Sequence, residues 1–245
     1  MVGAALLVVA CTGGPQAPAS TPAAGVDEQR LRLLGGVPPA EAERGLYLVD
    51  LKAAGEQSPG SRVGPFLGTV LDQAQLLVET TAPPLTLLGG MDDEIETPSH
   101  ALRVDDVLVF AEPDPAQAAA DLLADGAAPG PELTAAAASQ APVVWVGPTP
   151  APNAEGSTLI ELGADSVTFS VTPSDAVDVA VAHARQELAA GAPPGSPGKP
   201  WTSVLAEADV SVDGPQVIIR ARPLDLPGPF LRSLIDQQQL TFLPG

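Results

Sequence analysis

The sequence predicts an α+β protein of two small units, each with helices on one face of an antiparallel sheet. Three observations predict this fold class. The 13 residues from Gly64 to Leu76 match those from Gly228 to Leu240 with eight identities, which indicates an internal repeat. Strand-like and helix-like apolar patterns follow one another in both halves. Segments rich in Pro, Ala and Gly separate these patterns, as is typical of loops and linkers. The clearest of these predicted spacers is Ala127–Pro142.

The first segment is a short apolar run from Val2 to Ala10 that ends at Cys11. A helix of this length spans about 14 Å, about half of a bilayer core, so the run is too short to cross a membrane. It is typical of the apolar region of a signal peptide. The residues Val8-Val9-Ala10-Cys11 resemble the lipobox of bacterial lipoproteins. This resemblance implies that residues 1–10 are a signal peptide, and that Cys11 becomes the lipidated first residue of the mature chain.

Residues 11–43 are predicted to be a lipid-anchored Cys followed by a flexible tether. Cys11 is the single cysteine, which suits a lipid anchor and excludes an internal disulfide framework. The stretch from Thr12 to Gly25 has no large apolar side chain and cannot form a core. The two acyl chains of a diacylated Cys are enough for stable anchoring. We therefore expect a protein on the extracytoplasmic side of the cell membrane, with the membrane as one partner.

The first α+β unit is predicted over residues 44–147. The repeat places a helix at Pro65–Gln73, and apolar runs predict the surrounding strands. Asp114 and Pro115 are a favourable start for a second helix, which Gly126 would end. The predicted strands are Leu46–Leu51, Leu76–Thr80, Val107–Ala111 and Val143–Val146. The gap from Thr81 to Asp106 is long for a loop, which makes it either functional or wrongly assigned.

The second unit is predicted over residues 157–245, after a linker at residues 148–156. Ser166–Val171 is strand-like, and Ser174 is a suitable N-cap for the helix that follows. In that helix Val177, Val181, Ala184 and Leu188 recur every three or four residues and define one apolar face. Gly191 then ends it.

A hairpin and a second helix complete this unit. Alternate residues from Val204 to Val212 are apolar, with Leu205 as an exception, and Asp213-Gly214 forms the turn. The return strand Gln216–Arg222 directs Arg220 and Arg222 outward, opposite acidic residues of the first strand. The second helix runs from Pro229 to about Gln238, and Leu240–Leu243 closes the unit as a strand. Its core residues are Phe230, Leu231, Leu234 and Ile235.

This order is the βαββαβ pattern of ferredoxin-like folds, which we expect for both units. The order of elements from Ser174 to Leu243 also resembles the GerMN-type ring-building domains of some bacterial lipoproteins. The stretch from Ala208 to Gly214 is similar to the hairpin turn of that family. The resemblance implies a role in envelope assembly.

Charge excludes some functions. The chain has 11 Lys and Arg against 30 Asp and Glu, for a formal net charge of −19. Such a protein repels phosphate backbones, so we expect no nucleic-acid partner.

Catalytic motifs are absent from the sequence, and we predict neither enzymatic activity nor a cofactor. The sequence Gly198-Lys199-Pro200 is not a phosphate-binding loop, and no G-x-S-x-G motif occurs. His183 is expected on a solvated helix face. His100, which lies near two aspartates, is the residue on which a hydrolase would depend.

The densest acidic cluster lies between residues 91 and 106. Carboxylates on one loop can hold Ca²⁺, although the spacing of a calcium-binding loop is missing, and a solvated acidic loop is the alternative. The candidate ligands are Asp92, Asp93, Glu94, Glu96, Asp105 and Asp106.

Three functions remain open. The first is a non-catalytic, lipid-anchored module that binds an envelope protein or contributes to an assembly. The second is a lipoprotein that binds a small molecule or Ca²⁺, between the two units or in the acidic loop. The third is an envelope hydrolase.

Overall fold

A single antiparallel sheet organises the molecule. The computed structural model describes residues 27–55, 58–59, 69–81, 85–111, 113–194, 199–224 and 226–244. Within them, ten strands pair in the order β4-β5-β3-β2-β1-β6-β7-β8-β10-β9. The strands are β1 Leu46–Asp50, β2 Leu76–Thr80, β3 Thr86–Gly89, β4 Leu102–Val104, β5 Val107–Phe110, β6 Val143–Pro148, β7 Gly156–Leu162, β8 Val167–Pro173, β9 Leu205–Asp213 and β10 Gln216–Pro223.

Helices cover both faces of the sheet. The helices in the described residues are α1 Glu28–Gly35, α2 Pro39–Ala42, α3 Leu51–Ala54, α4 Thr69–Gln73, α5 Pro113–Ala124, α6 Pro131–Ala138, α7 Val177–Ala190 and α8 Gly228–Asp236, with a 3₁₀ turn at Trp201–Ser203. Helices α7 and α8 pack on the face that includes Tyr47, Phe169 and Ile219. Helices α1, α5 and α6 pack on the opposite face, with Leu46 and Leu48. The alternation of side chains along each strand separates the two cores.

The α+β class is confirmed, but the strands do not form two separate sheets. Strands β6 and β7 pair along their length, from Val143 opposite Leu162 to Pro148 opposite Ser157. The predicted linker at residues 148–156 is therefore a connection between two neighbouring strands of one sheet. The predicted first and second units share that sheet.

The C-terminal half retains most of the predicted pattern. Strand β10 lies between β8 and β9 and is antiparallel to both, as in a split βαβ unit with α7 as the crossover. The predicted strand Leu240–Leu243 is wrong, because this segment is a turn. The fourth strand beside β8 is instead β7, which precedes it in the chain. Ser174 is not the N-cap of α7, which begins at Val177 after Ala176.

The N-terminal half differs more from the predicted pattern. The long gap from Thr81 to Asp106 contains two strands, β3 and β4, so the gap reflects a wrong assignment. Strand β1 pairs with β2 and β6, whereas a ferredoxin-like order would place it beside the strand at Val107. The predicted helix Pro65–Gln73 is confirmed over Thr69–Gln73, and residues 64–68 lie outside the described residues.

Two segments predicted as tether or spacer are folded. Helix α1 lies within the predicted tether at residues 11–43, and its Leu33 and Leu34 are fully buried. Helix α6 lies within the predicted spacer Ala127–Pro142 and buries Ala136 and Ala137. Among the described residues, no helix is both long and apolar enough to cross a membrane.

Candidate functional site

Among the described residues, the side chains that the sequence singles out as candidates do not come together in one reaction centre. Cys11, the predicted lipidation site, lies outside them. His100 is exposed and stacks at a tilt on Phe110, with ring centres 5.6 Å apart. His183 lies on α7, where its Nε2–H donates to the carbonyl oxygen of Thr241 at 2.9 Å. This histidine therefore holds the C-terminal segment against α7.

The acidic loop is organised by arginines. Arg32 of α1 pairs with Asp106 and, at 2.6 Å, with Asp105. Arg103 donates to the carbonyl oxygens of Ile95 and Asp92 at 2.7 and 2.8 Å. The Arg32 guanidinium thus pairs with two of the candidate carboxylates, and the Arg103 guanidinium holds the loop through its backbone carbonyl groups.

The other calcium candidates do not converge. Asp92, Asp93, Glu94 and Glu96 are exposed, and Asp92 accepts a hydrogen bond from the backbone of Glu94 at 3.2 Å. In the described part of the chain no three acidic, His or Cys side chains form a group that could hold a metal ion. The calcium site and the solvated acidic loop therefore both stay predictions.

The strongest candidate site is an apolar groove of about 500 Å³ on the face covered by α1, α5 and α6. Its size is within the range of about 300–1,000 Å³ that is typical of small-molecule sites. Leu34, Leu133 and Val146 form its buried base, and Gly147 continues that base along β6. The walls come from α1, α2, α5, α6 and the segments that connect them: Gly35, Val37, Pro39, Ala42, Glu43, Leu122, Ala127, Ala128, Pro129, Gly130, Pro131 and Glu132.

A buried arginine ties together two of the elements that line the groove, α1 and α6. Arg30 on α1 is only 7% exposed, and its guanidinium donates to the carbonyl oxygens of Ser139 and Ala141, just after α6. A cation at a helix C-terminus satisfies carbonyls that have no partner within the helix. Ser139 also donates through its hydroxyl to Glu161 on β7. The two walls are thus fixed to each other and to the sheet.

The backbone of α1 also lies in close contact with the loop between α5 and α6. A Cβ atom on Gly35 would lie 1.9 Å from the carbonyl oxygen of Ala127, so α1 can approach the α5–α6 loop only with glycine there. At the opposite wall, a Cβ on Gly130 would meet nothing within 4 Å. Gly130 has φ −62° and ψ 168°, which any residue can adopt. Gly130 therefore lines the groove with open space around its Cβ position, so a larger side chain is tolerated there.

Sequence reasoning missed the groove because it interpreted one wall as a spacer. The signals were present, since Pro131 is well placed at the start of a helix and Leu133, Ala136 and Ala137 share a helical face. The composition of this stretch, rich in Ala, Pro and Gly, favours a spacer, whereas its spacing favours a helix. A site between the two predicted units stays a prediction, since this groove is lined by residues 34–147 alone.

Comparisons with known proteins add little to this geometry. No protein-family model matches the chain, and no curated protein matches it. Among solved structures it is similar to one titled "Structure of crystal form I of TP0453", with a TM-score of 0.49 and 8% sequence identity. That alignment covers 84% of this chain and 97% of the other.

Proposed function

We propose that this protein is an exported, lipid-anchored, non-catalytic binding module of the bacterial cell envelope, and that the apolar groove is its binding site. The groove is the observation that carries the proposal. It combines a buried apolar base with walls that Arg30 fixes in place. Preorganised walls lower the ordering cost of binding.

The predicted anchor would keep this groove near a membrane. Helix α1 starts directly after Asp27, and its other end contributes Leu34 and Gly35 to the groove. Asp27 follows Cys11 by 16 positions, so the chain between them can extend at most about 55 Å. Apolar ligands concentrate in the membrane, so this placement favours a groove that takes up an apolar molecule or segment.

Binding in the groove is tested with a neutral apolar fluorophore. The full-length Cys11→Ser chain, purified without detergent, is titrated with N-phenyl-1-naphthylamine. We expect saturable binding, and Gly130→Phe should weaken it by about tenfold or more because the new ring fills the groove. The matched control is Ala138→Phe, which adds the same ring to an exposed position at the far end of α6. Equal binding by both variants would contradict the proposed site.

Anchoring is tested separately. The wild-type protein and the Cys11→Ser variant are expressed from full-length genes in a bacterial host. Each is partitioned in a cloud-point detergent, and its intact mass is measured by mass spectrometry. We expect the wild type to enter the detergent phase, to lack residues 1–10 and to carry the added mass of a diacylglyceryl group. The Cys11→Ser variant should remain in the aqueous phase and keep its unprocessed mass. Thr12→Ser is the neighbouring control and should behave as the wild type. A wild type of unprocessed mass in the aqueous phase would contradict the lipoprotein proposal and leave the groove result unaffected.

A further inference from the structure

We infer that the ligand of the groove has an apolar body and a cationic head group. This inference rests on the proposed function, because it assigns the ligand class of the same site. The apolar base of the groove does not discriminate between one alkyl chain and another. The inference therefore comes from the charges around the groove.

Both ionisable residues among the described lining residues are acidic. Glu43 follows α2 and Glu132 lies in the first turn of α6, and both are exposed at the edge of the groove. None of the described lining residues is Lys, Arg or His. The nearest cation in sequence, Arg44, is 3.6 Å from Glu41 through its Nη1 and is not part of the lining. A ligand head group at the edge therefore meets carboxylates.

Helix ends add to the same negative field. The C-terminal end of α1 enters the groove through Leu34 and Gly35, and a helix C-terminus carries partial negative charge. The N-terminal end of α6 has the opposite sign, but Glu132 in its first turn offsets it. The chain as a whole has a formal charge of −19. Anionic head groups such as carboxylates and sulfates are therefore disfavoured at this edge, and a cationic head group is attracted.

The test compares two amphiphiles that have the same decyl chain and head groups of opposite charge. Decyltrimethylammonium and decyl sulfate, both below their micellar concentrations, displace N-phenyl-1-naphthylamine from the full-length Cys11→Ser chain. We expect the cation to displace the fluorophore at a concentration about tenfold lower than the anion. Raising the salt concentration towards 1 M should reduce this ratio, because the Debye length falls to about 3 Å.

Charge-neutral variants locate the source of the selectivity. Glu43→Gln/Glu132→Gln should bring the two displacement concentrations to within about twofold of each other, since it removes both edge carboxylates. The matched control is Glu94→Gln/Glu96→Gln, which changes the net charge equally in the exposed acidic loop and should retain the selectivity.

Each outcome separates the inference from the proposed function. Selectivity lost only in the Glu43/Glu132 variant supports the inference. Equal displacement by both amphiphiles, or equal loss of selectivity in both double variants, overturns it while binding in the groove stands. If the fluorophore binds the wild type and Gly130→Phe equally, the proposed site fails and the inference fails with it.

Discussion

Phe242 shows how single residues fasten the C-terminal segment to the sheet. Its ring is fully buried and meets Phe169 and Trp201 edge-on, with ring centres 5.1 and 4.7 Å away. The neighbouring Thr241 accepts a hydrogen bond from Trp201 Nε1 at 3.2 Å and another from His183. These contacts hold a segment that has no strand pairing of its own. They explain why an apolar run that looks like a strand is instead a turn.

We predict that Phe242→Ala lowers the free energy of unfolding by about 3–5 kcal/mol, because it leaves a cavity beside the rings of Phe169 and Trp201. Phe242→Leu should lower the free energy of unfolding by a smaller amount, since leucine retains most of the buried volume. Urea denaturation followed by circular dichroism measures both changes. Leu224→Ala is the control, because Leu224 is 51% exposed and its truncation should cost about 0.5 kcal/mol or less. A loss at Phe242 no larger than that at Leu224 would contradict this account of the segment.

At the scale of single elements, local patterns were predictable and their interruptions were not. The apolar stripe of α7 is confirmed at Ala184 and Leu188, and α8 buries Leu231, Leu234 and Ile235 as predicted. Arg220 of β10 lies opposite Asp209 of β9, and Arg222 lies opposite Ala206, so two residues of β9 lie opposite one of β10. This β-bulge shifts the alternation by one residue, which is why Leu205 is buried although it breaks the pattern. The ion pair of Arg222 with Glu207 is confirmed, at 3.0 Å.

The position of α8 shows what local patterns cannot reveal. Its Arg232 pairs with the fully buried Glu79 on β2, 153 positions earlier in the chain, and lies 4.8 Å from the ring centre of Tyr47 on β1. Nothing in the sequence near either residue indicates this partner. The groove is similar, because its walls come from segments about a hundred residues apart that Arg30 brings together through the carbonyl of Ser139. Periodicity predicts which face of an element is buried but not the element it is buried against.

At the scale of the whole molecule, the halves are joined by a shared core as well as by a shared sheet. Strands β6 and β7 pair over six positions. One apolar cluster contains Tyr47 and Trp145 from the N-terminal half together with Phe169 and Trp201 from the C-terminal half. The internal repeat suggested two independent units. Instead, α4 and α8, which carry the described parts of the two copies, lie beside one sheet. Neither half can unfold without exposing part of the other's core.

We therefore predict one cooperative unfolding transition. Trp145→Phe leaves Trp201 in the C-terminal half as the single tryptophan, and Trp201→Phe leaves Trp145 in the N-terminal half. Both indole rings are buried in the wild type. In each variant, the unfolding midpoint from tryptophan fluorescence should agree with the midpoint from circular dichroism. The fluorescence midpoints of the two variants should also agree with each other, after correction for the stability change of each substitution. The calorimetric and van't Hoff enthalpies of the wild type should also coincide. Two separated transitions, with each tryptophan following a different one, would mean that the halves fold as independent units joined only at β6 and β7. In that case the shared core would contribute little to stability, and the interpretation of the repeat as two units would be restored.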